Sequence, residues 1–197
     1  MDANMNTIKN IAVYCGASEG KIPEFKQQTV ATGTWLAKQN IELVYGGGGV
    51  GLMGVLAKAV LESGGTVHGI IPQELFKRET AYKGLTQLEI VDNMSIRKAR
   101  MIELADGCIT LPGGPGTLEE ASEAFSWALI GDNPTPVTFL NVNHYYDPLI
   151  TMFDEMAANG FLSVNNREKL FFSDSLDEIY NFMVNYSTPE VRTYSHD

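Results

Sequence analysis

Basic residues are scarce in this 197-residue chain: 14 Lys and Arg stand against 24 Asp and Glu, a formal net charge of −10. A surface of that sign argues against nucleic-acid or anionic-membrane binding, whose affinity rests on a basic face. Cysteine is nearly absent. Cys15 and Cys108 both lie inside apolar runs, which fits a soluble protein of the reducing cytoplasm rather than a disulfide framework. Three scattered histidines, His68, His144 and His196, show no ligand spacing, so no metal site is expected. No run approaches the roughly 18 apolar residues of a membrane helix, and the opening MDANMNTIKN lacks the apolar stretch of a signal peptide. A Walker A loop is missing too. Its nearest approach, Cys15 to Ile22, has Gly20-Lys21 but Cys15 in place of the first glycine and Ile22 in place of Ser or Thr.

What is present is a core. Apolar residues make up 44% and charged residues 19%, enough for one packed domain. Short β-branched runs alternate with longer helical patterns. The strands expected are 11–15, 41–45, 66–71, 88–91, 108–111 and 137–140. The helices expected are 23–39, 52–61, 95–105, 115–130, 148–159 and 176–184. Strands apolar throughout, alternating with helices, indicate a parallel sheet covered on both faces. No linker or repeat divides the chain. The reading is a single α/β, doubly wound domain over residues 1–187, with a polar, flexible tail over 188–197. Ligands of such sheets sit beyond the carboxyl ends of the strands. That directs attention to Gly16-Ala17-Ser18, Gly46 to Gly49, Pro72, and Pro112 to Thr117.

Two glycine-rich turns open helices there. Gly46 to Gly54 contains G-x-G-x-x-G twice, from Gly46 and from Gly49. Such a turn can hold a phosphate at a helix N-terminus. A dinucleotide site would also need an acid at the end of the next strand, and that strand ends Gly69-Ile70-Ile71-Pro72. Close helix–strand packing is the alternative role for these glycines. The second turn, Pro112-Gly113-Gly114-Pro115-Gly116-Thr117-Leu118-Glu119-Glu120, is the sharper signal. N–H groups of Gly114, Gly116 and Thr117 can converge on one phosphate, with the Thr117 hydroxyl as a further donor and the helix dipole adding attraction. Glu119 and Glu120 are expected in the first helical turn, where acids offset the dipole by about 0.3–1 kcal/mol. A carboxylate beside a phosphate cradle also suits a separate chemical task.

Six of the 14 basic residues lie between Lys77 and Arg100, a local reversal of the overall charge. On a helix, Arg97 and Arg100 are neighbours and Lys98 points elsewhere. Arg97 and Lys98, close behind a strand end, are candidates for anion binding. Arg100 reads as part of a solvated face.

These residues together resemble one family. The turn at Pro112–Glu120 is similar to the P-G-G-x-G-T-x-x-E signature of the LONELY GUY family, the cytokinin riboside 5′-monophosphate phosphoribohydrolases. Val13 to Ser18 resembles the family's first strand and turn, Tyr45 to Gly54 its Y-G-G-G-x-x-G-L-M-G, and Gly69 to Pro72 its G-V-I-P. Trp127, Tyr145-Tyr146-Asp147-Pro148-Leu149 and Gly160-Phe161 match further segments. The resemblance covers roughly residues 9 to 172.

It implies a Rossmann-like fold, assembled as a homodimer or larger even homo-oligomer. It also implies hydrolysis of the N-glycosidic bond of a purine nucleoside 5′-monophosphate to free base and ribose 5-phosphate, without metal or cofactor. The family's catalytic pair falls on Arg97 and Glu120. Its substrate contacts fall on Glu79, Arg97, Lys98, Gly114, Pro115, Gly116, Thr117, Leu118, Glu119, Glu120 and Ser126, where relatives often have Thr. Three positions depart from the pattern: Ser95 and Ile96 replace the His and Glu of M-H-E-R-K-A, and Pro115 replaces Tyr in P-G-G-Y-G-T. The older label "lysine decarboxylase" carried by some relatives finds no pyridoxal-phosphate lysine context here.

Glycosidic cleavage passes through a state with oxocarbenium character. Glu120 is therefore expected to stabilise that cation and activate water, with Arg97 orienting it and keeping it ionised. A rival reading is a non-enzymatic nucleotide or pterin-phosphate carrier, like the molybdenum-cofactor carriers. Retention of both Arg97 and Glu120 favours the enzyme.

Overall fold

The fold was established from a computed structural model, in which residues 5–78 and 81–191 are described. Seven parallel strands form one sheet: β1 (Asn10–Tyr14), β2 (Glu42–Tyr45), β3 (Val67–Pro72), β4 (Gln87–Val91), β5 (Gly107–Thr110), β6 (Val137–Leu140) and β7 (Leu170–Ser173). Their order is β4-β3-β2-β1-β5-β6-β7. β1 pairs with both β2 and β5, so the chain reverses its direction of travel across the sheet beside β1. Helices leading to opposite faces diverge there and leave a crevice at the strands' carboxyl ends.

The helices are α1 (Pro23–Lys38), α2 (Gly51–Glu62), α3 (Gln73–Lys77), α4 (Met94–Leu104), α5 (Pro115–Ile130), α6 (Asp147–Ala158), α7 (Val164–Arg167) and α8 (Leu176–Val184). Alternation along β1 assigns the two faces. Ile11 and Val13 pack with Leu36 of α1, Leu56 of α2 and Ile179 of α8. Ala12 and Tyr14 pack with Met101 of α4, Phe125 of α5 and Phe153 of α6. Burial on both faces is why the strand is apolar at every position from Ile11 on.

Local chemistry fixes the ends of the helices nearest the crevice. The Asn93 side chain accepts the Ile96 N–H at 3.0 Å and so starts α4 two residues after β4. α5 starts with Pro115, whose fixed φ suits the first helical position, and ends at Gly131, whose φ of 88° an L side chain would resist.

The expected elements are present to within one or two residues, and four more are found. Pro72, expected to halt β3, is its last residue, paired with Val91, and also precedes α3. The short α7, a 3-10 turn at Val142–His144 and the edge strand β7 complete the set. The proposed tail falls partly beyond residue 191, outside the described residues.

Candidate active site

The crevice holds a cavity of about 580 Å³. One end is the turn into α5. Gly114, Gly116 and Thr117 line it, and a Cβ added to Gly114 or Gly116 would meet no protein atom within 4 Å. The backbone is therefore open to a ligand at both glycines. Gly116 and Thr117 lie in the first helical turn, whose N–H groups have no intrahelical acceptor. Pro115 supplies no N–H, so the cradle has one donor fewer than it would with Tyr there.

The floor is an ion pair. Arg97 of α4 donates from Nη1 to Glu120 Oε1 of α5 at 2.7 Å, and both residues are less than a tenth exposed. Arg97 Nε donates to the Ile70 carbonyl at 3.2 Å, and Nη1 contacts Met94 Sδ at 3.0 Å. These contacts tie the guanidinium to the ends of β3 and α4. Gly46 makes room for it: a Cβ at that position would stand 1.7 Å from Arg97 Nη2. Burial pushes the Glu120 carboxyl above its ordinary value, and Arg97 pulls it back only in part. Arg97 favours the ionised form, as the sequence reading expects, and burial opposes it. Desolvation is the larger influence at this depth.

Two expectations change. Glu119 and Glu120 lie beyond the first turn of α5, in which no residue is acidic. Dipole compensation, which fades within one turn, is therefore not their main role. Arg100 is half-buried rather than freely solvated, held by Glu89 at 3.1 Å and Glu103 at 2.9 Å.

The first glycine turn plays a different part from the second. Gly51 and Gly54 would place a Cβ 2.2 Å from Ala17 C and 2.3 Å from Gly49 O, and the Leu52 N–H is taken by the Gly16 carbonyl at 3.0 Å. Close packing, not anion binding, occupies the start of α2.

Of the expected substrate contacts, Arg97, Gly114, Pro115, Gly116, Thr117, Glu119 and Glu120 line the cavity. Lys98, Leu118 and Ser126 do not. Lys98 is bound to Glu119 and, at 2.7 Å, to Glu123, while Leu118 and Ser126 are exposed on α5. Glu79 lies outside the described residues. Val50, Met53, Ile71, Leu75 and Met94 form an apolar wall beyond the ion pair that sequence reasoning had not singled out. On the sequence they look like ordinary core residues.

Comparison with known proteins identifies the family. The family model described as "Possible lysine decarboxylase" matches residues 53–183. Among the described residues no lysine lines the cavity, and a pyridoxal-phosphate Schiff base would need one. A cytokinin riboside 5′-monophosphate phosphoribohydrolase of Arabidopsis thaliana is 39% identical over 186 residues, covering 94% of this chain and 86% of its own. One from Rhodococcoides fascians is 41% identical over 172 residues, covering 87% of each chain. Among solved structures, the molybdenum cofactor binding protein of Rippkaea orientalis superposes with a TM-score of 0.67 at 18% identity, covering 90% of this chain and 96% of that one. At that identity the likeness speaks for the fold alone. With such identity over nearly its whole length, the chain belongs to the LONELY GUY family of cytokinin riboside 5′-monophosphate phosphoribohydrolases.

Proposed function

We propose that the protein hydrolyses the N-glycosidic bond of purine nucleoside 5′-monophosphates, cytokinin-type or AMP, to free base and ribose 5-phosphate. The observation that carries this is the buried Arg97–Glu120 pair, 2.7 Å apart, beside an open phosphate turn. The phosphate binds to the N–H groups of Gly114, Gly116 and Thr117. The sugar then lies over the ion pair. Its base extends toward β2 and β3, across about 14 Å of sheet at three strand spacings. There Val50, Met53, Ile71, Leu75 and Met94 offer an apolar surface suited to a purine and to an apolar N6 substituent.

Glu120 uses Oε1 to accept from Arg97, which leaves Oε2 for the reaction. As the bond from C1′ to the base nitrogen lengthens, positive charge develops on the sugar and the carboxylate stabilises it. Glu120 then takes a proton from the attacking water, whose oxygen bonds to C1′. The base leaves with the bonding electron pair and is protonated from solvent. Arg97 fixes the carboxylate's orientation, and binding energy from the remote phosphate holds C1′ in place. A carrier needs no such buried charge pair, which favours catalysis over the carrier reading.

Two further points belong to the proposal. Ile96 and Leu118, 44% and 40% exposed on α4 and α5, are suited to cover by a second copy, and we expect a homodimer or larger even assembly. Both thiols are buried and unpaired, in keeping with a reducing cytoplasm. No helix among the described residues is long and apolar enough to cross a membrane.

The decisive assay incubates the protein with AMP, isopentenyladenosine monophosphate and the two matching nucleosides. Free base and ribose 5-phosphate are expected from the monophosphates, with the nucleosides turned over far more slowly. Equal rates for adenosine and AMP would remove the phosphate-anchoring argument.

A further inference from the structure

The phosphate turn is held from outside the cavity by hydrogen bonds to four consecutive carbonyls. The Leu111 carbonyl accepts from the Tyr146 hydroxyl at 2.7 Å, that of Pro112 from the Gly16 N–H at 3.1 Å, that of Gly113 from the Tyr145 hydroxyl at 2.6 Å, and that of Gly114 from the Leu118 N–H at 3.1 Å. No described peptide bond is cis. In a trans peptide the C=O and N–H point in opposite directions. Fixing the Gly113 carbonyl toward Tyr145 therefore turns the Gly114 N–H away from it. A turn whose carbonyls are tied back presents its donors to an anion without reorganising.

The two tyrosines come from a strained loop. Asn143 and His144, immediately before them, have φ of 51° and 58°, two successive non-glycine residues in the left-handed region. The loop is held in that shape by Asn141, whose Oδ1 accepts the Tyr146 N–H at 2.7 Å and whose Nδ2 donates to Asp147 at 2.8 Å. Edge-on ring contacts to Phe25 at 5.4 Å and to Tyr146 at 4.9 Å then orient Tyr145. Tyr146 is buried among the core residues, whereas Tyr145 is 41% exposed. Core packing thus accounts for Tyr146 and leaves Tyr145 without an equivalent structural duty.

We propose that Tyr145 is a positioning residue for the substrate's 5′-phosphate, acting through its hydrogen bond to the Gly113 carbonyl. The inference rests on the reading of the α5 turn as the phosphate site. Removing the hydroxyl frees the Gly113–Gly114 peptide to rotate and lets the carbonyl turn toward the anion. The cost falls on binding of the phosphate group and not on the chemistry at C1′.

Tyr145→Phe keeps the ring and its packing, and is compared with Tyr146→Phe and the unaltered protein. For Tyr145→Phe, the ratio of kcat/KM for AMP to that for adenosine should fall about three- to tenfold, the scale of one hydrogen bond. The change should sit in KM, with kcat within about twofold. Inhibition by inorganic phosphate should weaken by the same factor, and the melting temperature should hold. The Tyr146 hydroxyl holds the carbonyl of the Leu111–Pro112 peptide, which has no N–H to offer an anion, so Tyr146→Phe should lower the melting temperature and leave the AMP-to-adenosine ratio near its original value. An unchanged ratio and phosphate inhibition in Tyr145→Phe, or a parallel loss on AMP and adenosine, overturns the inference. If the unaltered protein itself shows no preference for AMP over adenosine, the phosphate reading fails first, and this inference falls with it.

Discussion

Replacing Glu120 with Gln removes one charge from the buried pair and keeps the side chain's size and its acceptor for Arg97. The consequences for activity and stability should diverge. Glu120 faces the cavity at a tenth of its full exposure, where little water screens it from a developing sugar cation. Losing one such electrostatic group costs roughly 100-fold or more in kcat. Stability behaves differently. Burial outweighs Arg97 in shifting the carboxyl upward, so the charged form is less favourable in the folded chain than in the unfolded one. A neutral amide avoids that penalty. At neutral pH that gain is opposed by Arg97, left buried without a counter-charge, so the net change should be small. The upward shift has a pH signature. A carboxyl whose folded pKa is raised binds its proton more tightly when folded. Its stabilising effect is present at low pH and is lost as pH rises through the folded value. Wild type should therefore gain stability relative to Glu120→Gln as pH falls through that value. Steady-state kinetics on AMP, with urea unfolding at several pH values, reads both quantities. Glu119→Gln serves as the comparison, since Glu119 is half-exposed and paired with Lys98, and it should lose much less activity. Near wild-type turnover by Glu120→Gln refutes the catalytic assignment. A loss of several kcal/mol with full retention of kcat shows that the pair is structural.

Further outcomes follow from the same geometry. Gly46→Ala places a methyl where Arg97 Nη2 stands, so it should displace the guanidinium, lower kcat at least tenfold and cost about 1–3 kcal/mol by overpacking, measurable by kinetics and denaturant unfolding. Arg97→Gln removes the charge that draws the Glu120 carboxyl downward, so the acid limb of the kcat profile should move to higher pH as kcat falls. The reaction as proposed uses Glu120, Arg97 and backbone donors alone, so a chelator should leave activity intact; inhibition reversed by magnesium contradicts the site as drawn. Light scattering should give about twice the chain mass or a larger even multiple, and a fully active monomer counts against the proposed assembly.

The elements most legible in the sequence are those with punctuation at both ends. α5 is bounded by Pro115 and Gly131, and its expected limits coincide with those observed. β7 was hidden because its apolar run is only Leu170-Phe171-Phe172, with pairing on β6 supplying what the pattern lacks. α3 was hidden because Pro72 looked like a stop, although it can close a strand and precede a helix at once. At the site, Lys98 was a candidate through its place behind a strand end and the family resemblance, yet it does not line the cavity. One residue along a helix is a turn of about 100°, and that separates Lys98 from the cavity that Arg97 enters. Burial of Glu120 on the cavity side of α5 distinguishes it from Glu119 physically, where the sequence offered only the family match. Tyr145 was visible as part of a matching segment, but its role was not. Asn143 and His144 are residue types that tolerate a left-handed backbone, but the hydrogen bonds that hold them there come from Asn141 and are not visible in the sequence.

The central claim is that water cleaves the bond between C1′ and the base of a nucleoside 5′-monophosphate. Running the reaction with AMP and with isopentenyladenosine monophosphate in ¹⁸O-labelled water tests it most directly, with both products followed by mass spectrometry. The account predicts free base and ribose 5-phosphate in equal amounts, with one labelled oxygen in each sugar phosphate when the product is reduced to its alditol at once, before the C1 aldehyde exchanges with water, and none in the base. Release of unlabelled sugar phosphate, loss of phosphate in place of base, or tight nucleotide binding with no cleavage would contradict it.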